Sequence, residues 1–160
     1  MIESVQTRTC RRAQHMHLTR ESEYALRGLA FLASRDSSDV VSLAQIAAAQ
    51  QLPRTFLAKI FQKLMPHGFI TAQRGRGSGY ALARPASAIT MRQIFEAVEG
   101  HQLQKQCLMW RQQCRDDQPC PLHRHVKEMV PQLEEILERI TLADYVAELE
   151  QAEPQPVVET

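Results

Sequence analysis

Apolar residues recur along this chain at helical spacing, in blocks separated by short polar or glycine-bearing breaks. The first block runs from Tyr24 through Leu26, Leu29 and Ala30 to Leu32. Thr19 stands ahead of it as an N-cap, and Glu21 falls in the first turn, where the helix dipole favours an acid. This helix is expected to end near Ser34, before the turn-forming run RDSSD. Ser42 and Gln45 have capping-box spacing ahead of Ile46 and Ala47, which predicts a short helix to about Gln50. Leu52-Pro53 breaks it, and Pro53 can open the next. There Phe56, Leu57, Ile60, Phe61 and Leu64 step by three and four, an amphipathic pattern that Pro66 and Gly68 close. Its other face carries Arg54, Thr55, Lys59, Gln62 and Lys63. Two short helices joined by a tight turn make a helix-turn-helix.

The period then changes. GFITAQRGRGSGYALARP reads as strand, glycine-rich turn and strand. Phe69, Ile70 and Thr71 lead in, and Tyr80, Ala81 and Leu82 lead out. Gly75, Gly77 and Gly79 permit a tight tip from which Arg74 and Arg76 project. A hairpin directly after a helix-turn-helix is a wing, and its arginines suit a phosphate backbone or a minor groove. A phosphate-binding loop is rejected, because no lysine and serine/threonine pair follows and no helix opens there. Thr90 caps a further helix, Met91 to Val98, that Gly100 ends.

Beyond the next polar stretch, Val126, Met129, Val130, Leu133, Ile136, Leu137 and Ile140 step mostly by three and four along a long helix that needs a partner, with Val126, Val130, Leu133, Leu137 and Ile140 as its expected seam. A homodimer joined along those five residues is the expected partner, since DNA readers are commonly twofold. Pro131 should kink this helix or start its second segment. The expected architecture is mainly α with a small β-hairpin wing, a winged helix-turn-helix plus a long C-terminal dimerisation helix. Its parts are a disordered leader at 1–15 (with Met16 an alternative start), the DNA-binding module at 16–100, a cysteine-bearing loop at 101–122, the dimerisation helix at 123–150 and a disordered tail at 151–160.

Charge sharpens this picture. The net charge of +1 says little, but from Val40 to Phe95 there is no acid and there are seven bases. From Glu96 onward thirteen acids face six bases. A basic module followed by an acidic one suits double-stranded DNA as partner for the first. No apolar run is long enough for a membrane span. The leader has no apolar core of an export signal, so the chain is expected in the cytoplasm, where thiols stay reduced.

In CLMWRQQCRDDQPCPLH, Cys107, Cys114 and Cys120 stand at C-x6-C-x5-C, and His123 follows Cys120 at C-x2-H. Soft thiolates suit an iron–sulfur cluster or zinc. Zinc usually comes with CxxC pairs, which are absent here. A zinc-stapled or thiol-switch regulator without a cluster remains the alternative. An enzyme using Cys107 or Cys120 with His123 lacks an orienting acid and a framed pocket.

MHLTRESEYALRGL, SLAQIAAAQQLPRTFLAKIFQKLMPHGFI, RGRGSGYALARPASAIT and ITLADYV, in this order, resemble the Rrf-type family of winged-helix regulators, with members such as IscR, NsrR and RirA. The resemblance covers Met16 to about Leu149. It implies a DNA-binding regulator of transcription, acting as a repressor, with a cluster on the three cysteines. The first gap of six residues exceeds the five of several members. IscR-like members complete a [2Fe–2S] site with a histidine at the Cys-x2-His ending, here His123. NsrR-like members complete a [4Fe–4S] site with a carboxylate from the first helix of the other subunit, at a place that resembles Glu23. The [2Fe–2S] reading with His123 is favoured, because its geometry is local.

Overall fold

The computed structural model describes residues 19–36, 39–75, 77–100, 116–117 and 119–151. Helix α1 spans Arg20–Ala33, with Thr19 as N-cap accepting from the Ser22 N–H. Helix α2 is Leu43–Ala49, and both halves of the Ser42/Gln45 capping box form. Helix α3 is Arg54–Leu64, with Pro53 at the N-cap. A 3-10 turn, Met65–His67, then ends in Gly68 at φ 68°, a left-handed position that glycine occupies at no steric cost. Strands β1 (Ile70–Gln73) and β2 (Gly79–Leu82) pair antiparallel from Ile70↔Leu82 to Gln73↔Gly79. Helix α4, Met91–Glu99, opens on a Thr90/Gln93 capping box.

The core lies between α1, α3 and α4. Ala25, Leu29, Ile46, Leu57, Phe61, Leu64, Ile89, Ile94 and Leu142 are fully buried there. The winged helix-turn-helix expected from the sequence is thus present. The wing is also stitched to the segment before α2. Val41 N–H donates to the Tyr80 carbonyl at 2.9 Å, and Tyr80 N–H returns a bond to Val41 at 2.8 Å.

The C-terminal part departs from expectation. In place of one helix over 123–150 there are two, α5 (His123–Arg139) and α6 (Leu142–Gln151). Pro131 lies inside α5, which continues through it. The break falls instead at Ile140-Thr141. There Met91 N–H donates to the Ile140 carbonyl at 2.9 Å, and Leu142 N–H donates to Ile89 at 2.8 Å. The Thr141 N–H and hydroxyl donate to the Asp144 carboxylate, and Thr141 Oγ1 accepts from the Asp144 N–H. This reciprocal pair starts α6, and it holds the Asp144 carboxyl below the usual carboxylate range. Helix α6 then packs on α1.

The expected dimer stripe turns inward as well. Val126 and Val130 are only 7% and 8% exposed, and Leu137 and Ile140 pack against the chain's own core. Leu133 is half-buried. The apolar side chains that α5 and its N-cap leave in solvent are Leu122, Met129 and Ile136, each more than 40% exposed. They recur every seven residues, the spacing of a helix–helix seam. Among the described residues no helix is long and apolar enough to cross a membrane. The leader, Cys107, Cys114, Arg76 and residues 152–160 lie outside the described residues.

A Cβ at Gly79 would lie 2.4 Å from the Val41 carbonyl oxygen, a backbone atom that cannot rotate away. Gly79→Ala should therefore push the wing off α2 and cost about 1–3 kcal/mol, as overpacking does. Urea unfolding measures this, and an unchanged midpoint would contradict the stitching.

Candidate nucleic-acid interface and metal-ligand segment

Helix α3 is amphipathic in fact. Leu57, Ile60, Phe61 and Leu64 are at most 1% exposed, whereas Arg54, Thr55, Lys59 and Gln62 face solvent. Phe56 does not belong to the inner face, as its spacing suggested. It is 51% exposed, with Lys59 Nζ 5.9 Å from its ring centroid. The turn before α3 is tight, with Gln51 at φ 53°. Two contacts fix the helix from behind. The Phe61 ring meets Tyr80 of β2 edge-on at 4.9 Å. Gly28 of α1 lies so near that an added Cβ would sit 2.8 Å from Phe61 Cε1.

The wing brings Arg74 to the exposed end of β1, beside Gly75 and Gly77, both at positive φ. Arg84, at the wing's exit, is engaged elsewhere. Its guanidinium lies 4.9 Å over the Phe69 ring and donates to Gln93 Oε1 at 3.0 Å.

Lys63 also differs from the rest of the basic set. Its ammonium donates to Glu21 on α1 and, at 3.3 Å, to the Val98 carbonyl near the end of α4. Next to this, Glu99 accepts hydrogen bonds from the Thr19 and Ser22 hydroxyls at the start of α1. Ser22 is fully buried. The ends of α1, α3 and α4 thus meet in one polar junction. Gly100, at φ 71°, closes α4 there, just before the cysteine-bearing stretch. Sequence spacing gave no sign of this junction, because its partners lie up to 80 residues apart.

Of the four expected metal ligands, Cys120 and His123 are described. Cys120 is a free, partly exposed thiol. The His123 N–H donates to the Cys120 carbonyl at 2.9 Å, so the two residues sit one turn apart where α5 begins. The His123 side chain is 13% exposed, and its Nε2 lies 2.8 Å from an Asp116 carboxylate oxygen. Lys127, one turn further along α5, donates to the same oxygen. These two bonds, that of Lys127 foremost, hold the Asp116 carboxyl below the ordinary range. The sequence reading missed Asp116 and Lys127, which spacing alone does not set apart from surface charges. Glu23, the alternative ligand, is exposed on α1 and pairs with Arg27 at 3.4 Å. Among the described residues no three His, Cys, Asp or Glu side chains already form a metal-sized group.

The donor chemistry fits a soft metal group. A reduced thiol and a histidine ring lie at one helix start, and the ring is oriented by a carboxylate, as ligating histidines usually are. Helix α5 opens without a side-chain cap, and its dipole favours negative charge at that end.

The profile of the Rrf2 family, described as an iron-dependent transcriptional regulator, matches residues 18–148. The HTH-type transcriptional regulator ORF2 of Azotobacter vinelandii is 33% identical over 132 residues, 82% of this chain and 80% of that protein. IscR of Cereibacter sphaeroides is 40% identical over 86 residues, 52% of this chain and 56% of its own length. IscR of Yersinia enterocolitica is 28% identical over 131 residues, 82% of this chain and 79% of its own. Among solved structures, CymR, the global cysteine regulator of B. subtilis, superposes with a TM-score of 0.69 at 23% identity, over 83% of this chain and 98% of that one. IscR of T. potens gives 0.66 at 25% identity, over 91% and 97%.

Glu99→Ala should leave the buried Ser22 hydroxyl without its acceptor and destabilise the chain by about 1–3 kcal/mol. The loss should appear in denaturant unfolding and as faster amide exchange in the first turn of α1. Unchanged exchange there would contradict the junction.

Proposed function

Since this chain belongs to the Rrf2 family of transcriptional regulators, we propose that it is a homodimeric, cytoplasmic repressor that binds double-stranded DNA and responds to an iron–sulfur cluster held by Cys107, Cys114, Cys120 and His123. Its role is regulation and not catalysis, as its relatives are named. The observation that carries the cluster reading is the placing of Cys120 and His123 one turn apart, with Asp116 on the imidazole.

The chain's own residues act as follows. Helix α3 enters the major groove, with Arg54 and Lys59 on phosphates and Thr55 and Gln62 on base edges. Arg74 and Arg76 of the wing meet the backbone or a minor groove. Lys63 serves as a strut that holds the end of α3 against α1 and α4. Asp116, against Nε2 of His123, orients the imidazole, as carboxylates do for ligating histidines. When bound, the cluster supplies a group whose presence and oxidation state change with iron supply, redox poise or nitric oxide. The [2Fe–2S] type is favoured over [4Fe–4S], because His123 and Cys120 are local to each other whereas Glu23 already pairs with Arg27. The twofold contact is assigned to Leu122, Met129 and Ile136, with Leu133 beside them.

Visible spectra of anaerobically purified variants test the ligands. Cys107→Ala, Cys114→Ala and Cys120→Ala should each abolish the chromophore. His123→Ala should weaken or shift it, and Glu23→Ala should leave it alone. If Glu23→Ala removes the colour while His123→Ala is silent, the carboxylate-completed [4Fe–4S] site replaces this one. Assembly is tested separately. Met129→Asp should give a folded monomer in sedimentation velocity, since a charge in a buried seam costs several kcal/mol. Val130→Asp should instead unfold the chain. A dimer from Met129→Asp would contradict the exposed seam.

A further inference from the structure

We propose that Phe56 is a specificity residue that reads the C5-methyl group of a thymine in the major groove. The assignment rests on the DNA-binding reading above and deepens it.

Four observations support it. Phe56 is 51% exposed, the highest value among the large hydrophobic residues described. An aromatic ring half in water forgoes burial that the neighbouring Leu57 and Phe61 achieve completely, so its place is not explained by this chain's own core. It lies in the first turn of α3, and the first residues of a recognition helix are those that meet base edges. Its surroundings suit a polyanion. Arg54 and Lys59 flank it, both exposed, and α3 carries no acid. The Lys59 ammonium stands over the ring, 5.9 Å from its centroid, so a cation that can meet a phosphate accompanies the exposed ring. A phenyl ring has no hydrogen-bonding group, so it cannot read donors or acceptors. The apolar feature of the major groove is the thymine methyl. Thr55 and Gln62 beside it supply the polar contacts, so Phe56 adds a preference that hydrogen bonds cannot.

Uracil substitution tests this directly. The full-length wild-type chain, purified anaerobically, first selects its site from a random duplex library. Each thymine of the selected duplex is then replaced singly by deoxyuridine, which removes the methyl and nothing else. Affinities are read by fluorescence anisotropy at fixed salt. One position in each half-site should lose about fourfold in affinity on losing its methyl. Phe56→Ala should bind the thymine and deoxyuridine duplexes equally, and Phe56→Leu should keep part of the difference. Because the ring is exposed, Phe56→Ala should show wild-type circular dichroism and thermal midpoint. The assignment is overturned if wild type is indifferent to every replacement, or if Phe56→Ala keeps the full thymine preference. A wild-type chain that enriches no sequence would overturn the DNA-binding reading and this assignment with it, a result distinct from the other two.

Discussion

Two backbone hydrogen bonds decide what this molecule can do, Met91 to Ile140 and Leu142 to Ile89. They close a short antiparallel bridge where α4 begins and α5 ends, and Leu142 drives into the core beside it. With its base clamped, α5 runs back along α4 and packs on it. The end of α4 at Gly100 and the start of α5 then form the open end of a helical pair. At 1.5 Å per residue, the 17 residues of α5 outreach the 9 of α4 by about 12 Å. The first turns of α5, with His123 and Lys127, therefore extend past the end of α4.

The open end is also where the reader is held. Glu99 ties the end of α4 to the start of α1, and Lys63 ties the end of α3 to both. In the proposed account, a ligand set that pulls on residues just after Gly100 acts on this junction first. The core behind it is close-packed, with Phe61 wedged between Gly28 and Tyr80. Such packing moves α3 and the wing as one body. A coupling of a few kcal/mol between the two sites suffices to shift DNA affinity by orders of magnitude.

The N-terminal module was legible because its stops are local. Thr19, the Ser42/Gln45 box, Thr90, Gly68 and Gly100 each satisfy backbone groups within a few residues, and each does so where spacing put it. The C-terminal part was less legible because tertiary contacts override its pattern. Pro131 removes one helical hydrogen bond, yet α5 continues through it, with Val126 and Val130 buried in the turn that precedes it. Thr141-x-x-Asp144 is a capping signal in plain view, but it sits inside an apolar period that reads as unbroken helix. Phe56 failed for a related reason. It is four residues from Ile60, a spacing that suggests a shared face, but the buried arc of α3 is the one that meets α1, α2 and α4, and Phe56 falls outside it. Cys120 and His123 could be found by spacing. The acid and base that orient the histidine could not be told from surface charges until the turn before α5 was in place.

The central claim is that the segment between Gly100 and α5 carries an iron–sulfur cluster. The most direct measurement is the visible absorption of the full-length wild-type chain purified without oxygen, together with its iron and acid-labile sulfide content. The account predicts a brown protein with sulfur-to-iron charge-transfer bands and equal amounts of iron and sulfide. A colourless dimer that holds zinc, or no metal at all, would contradict it.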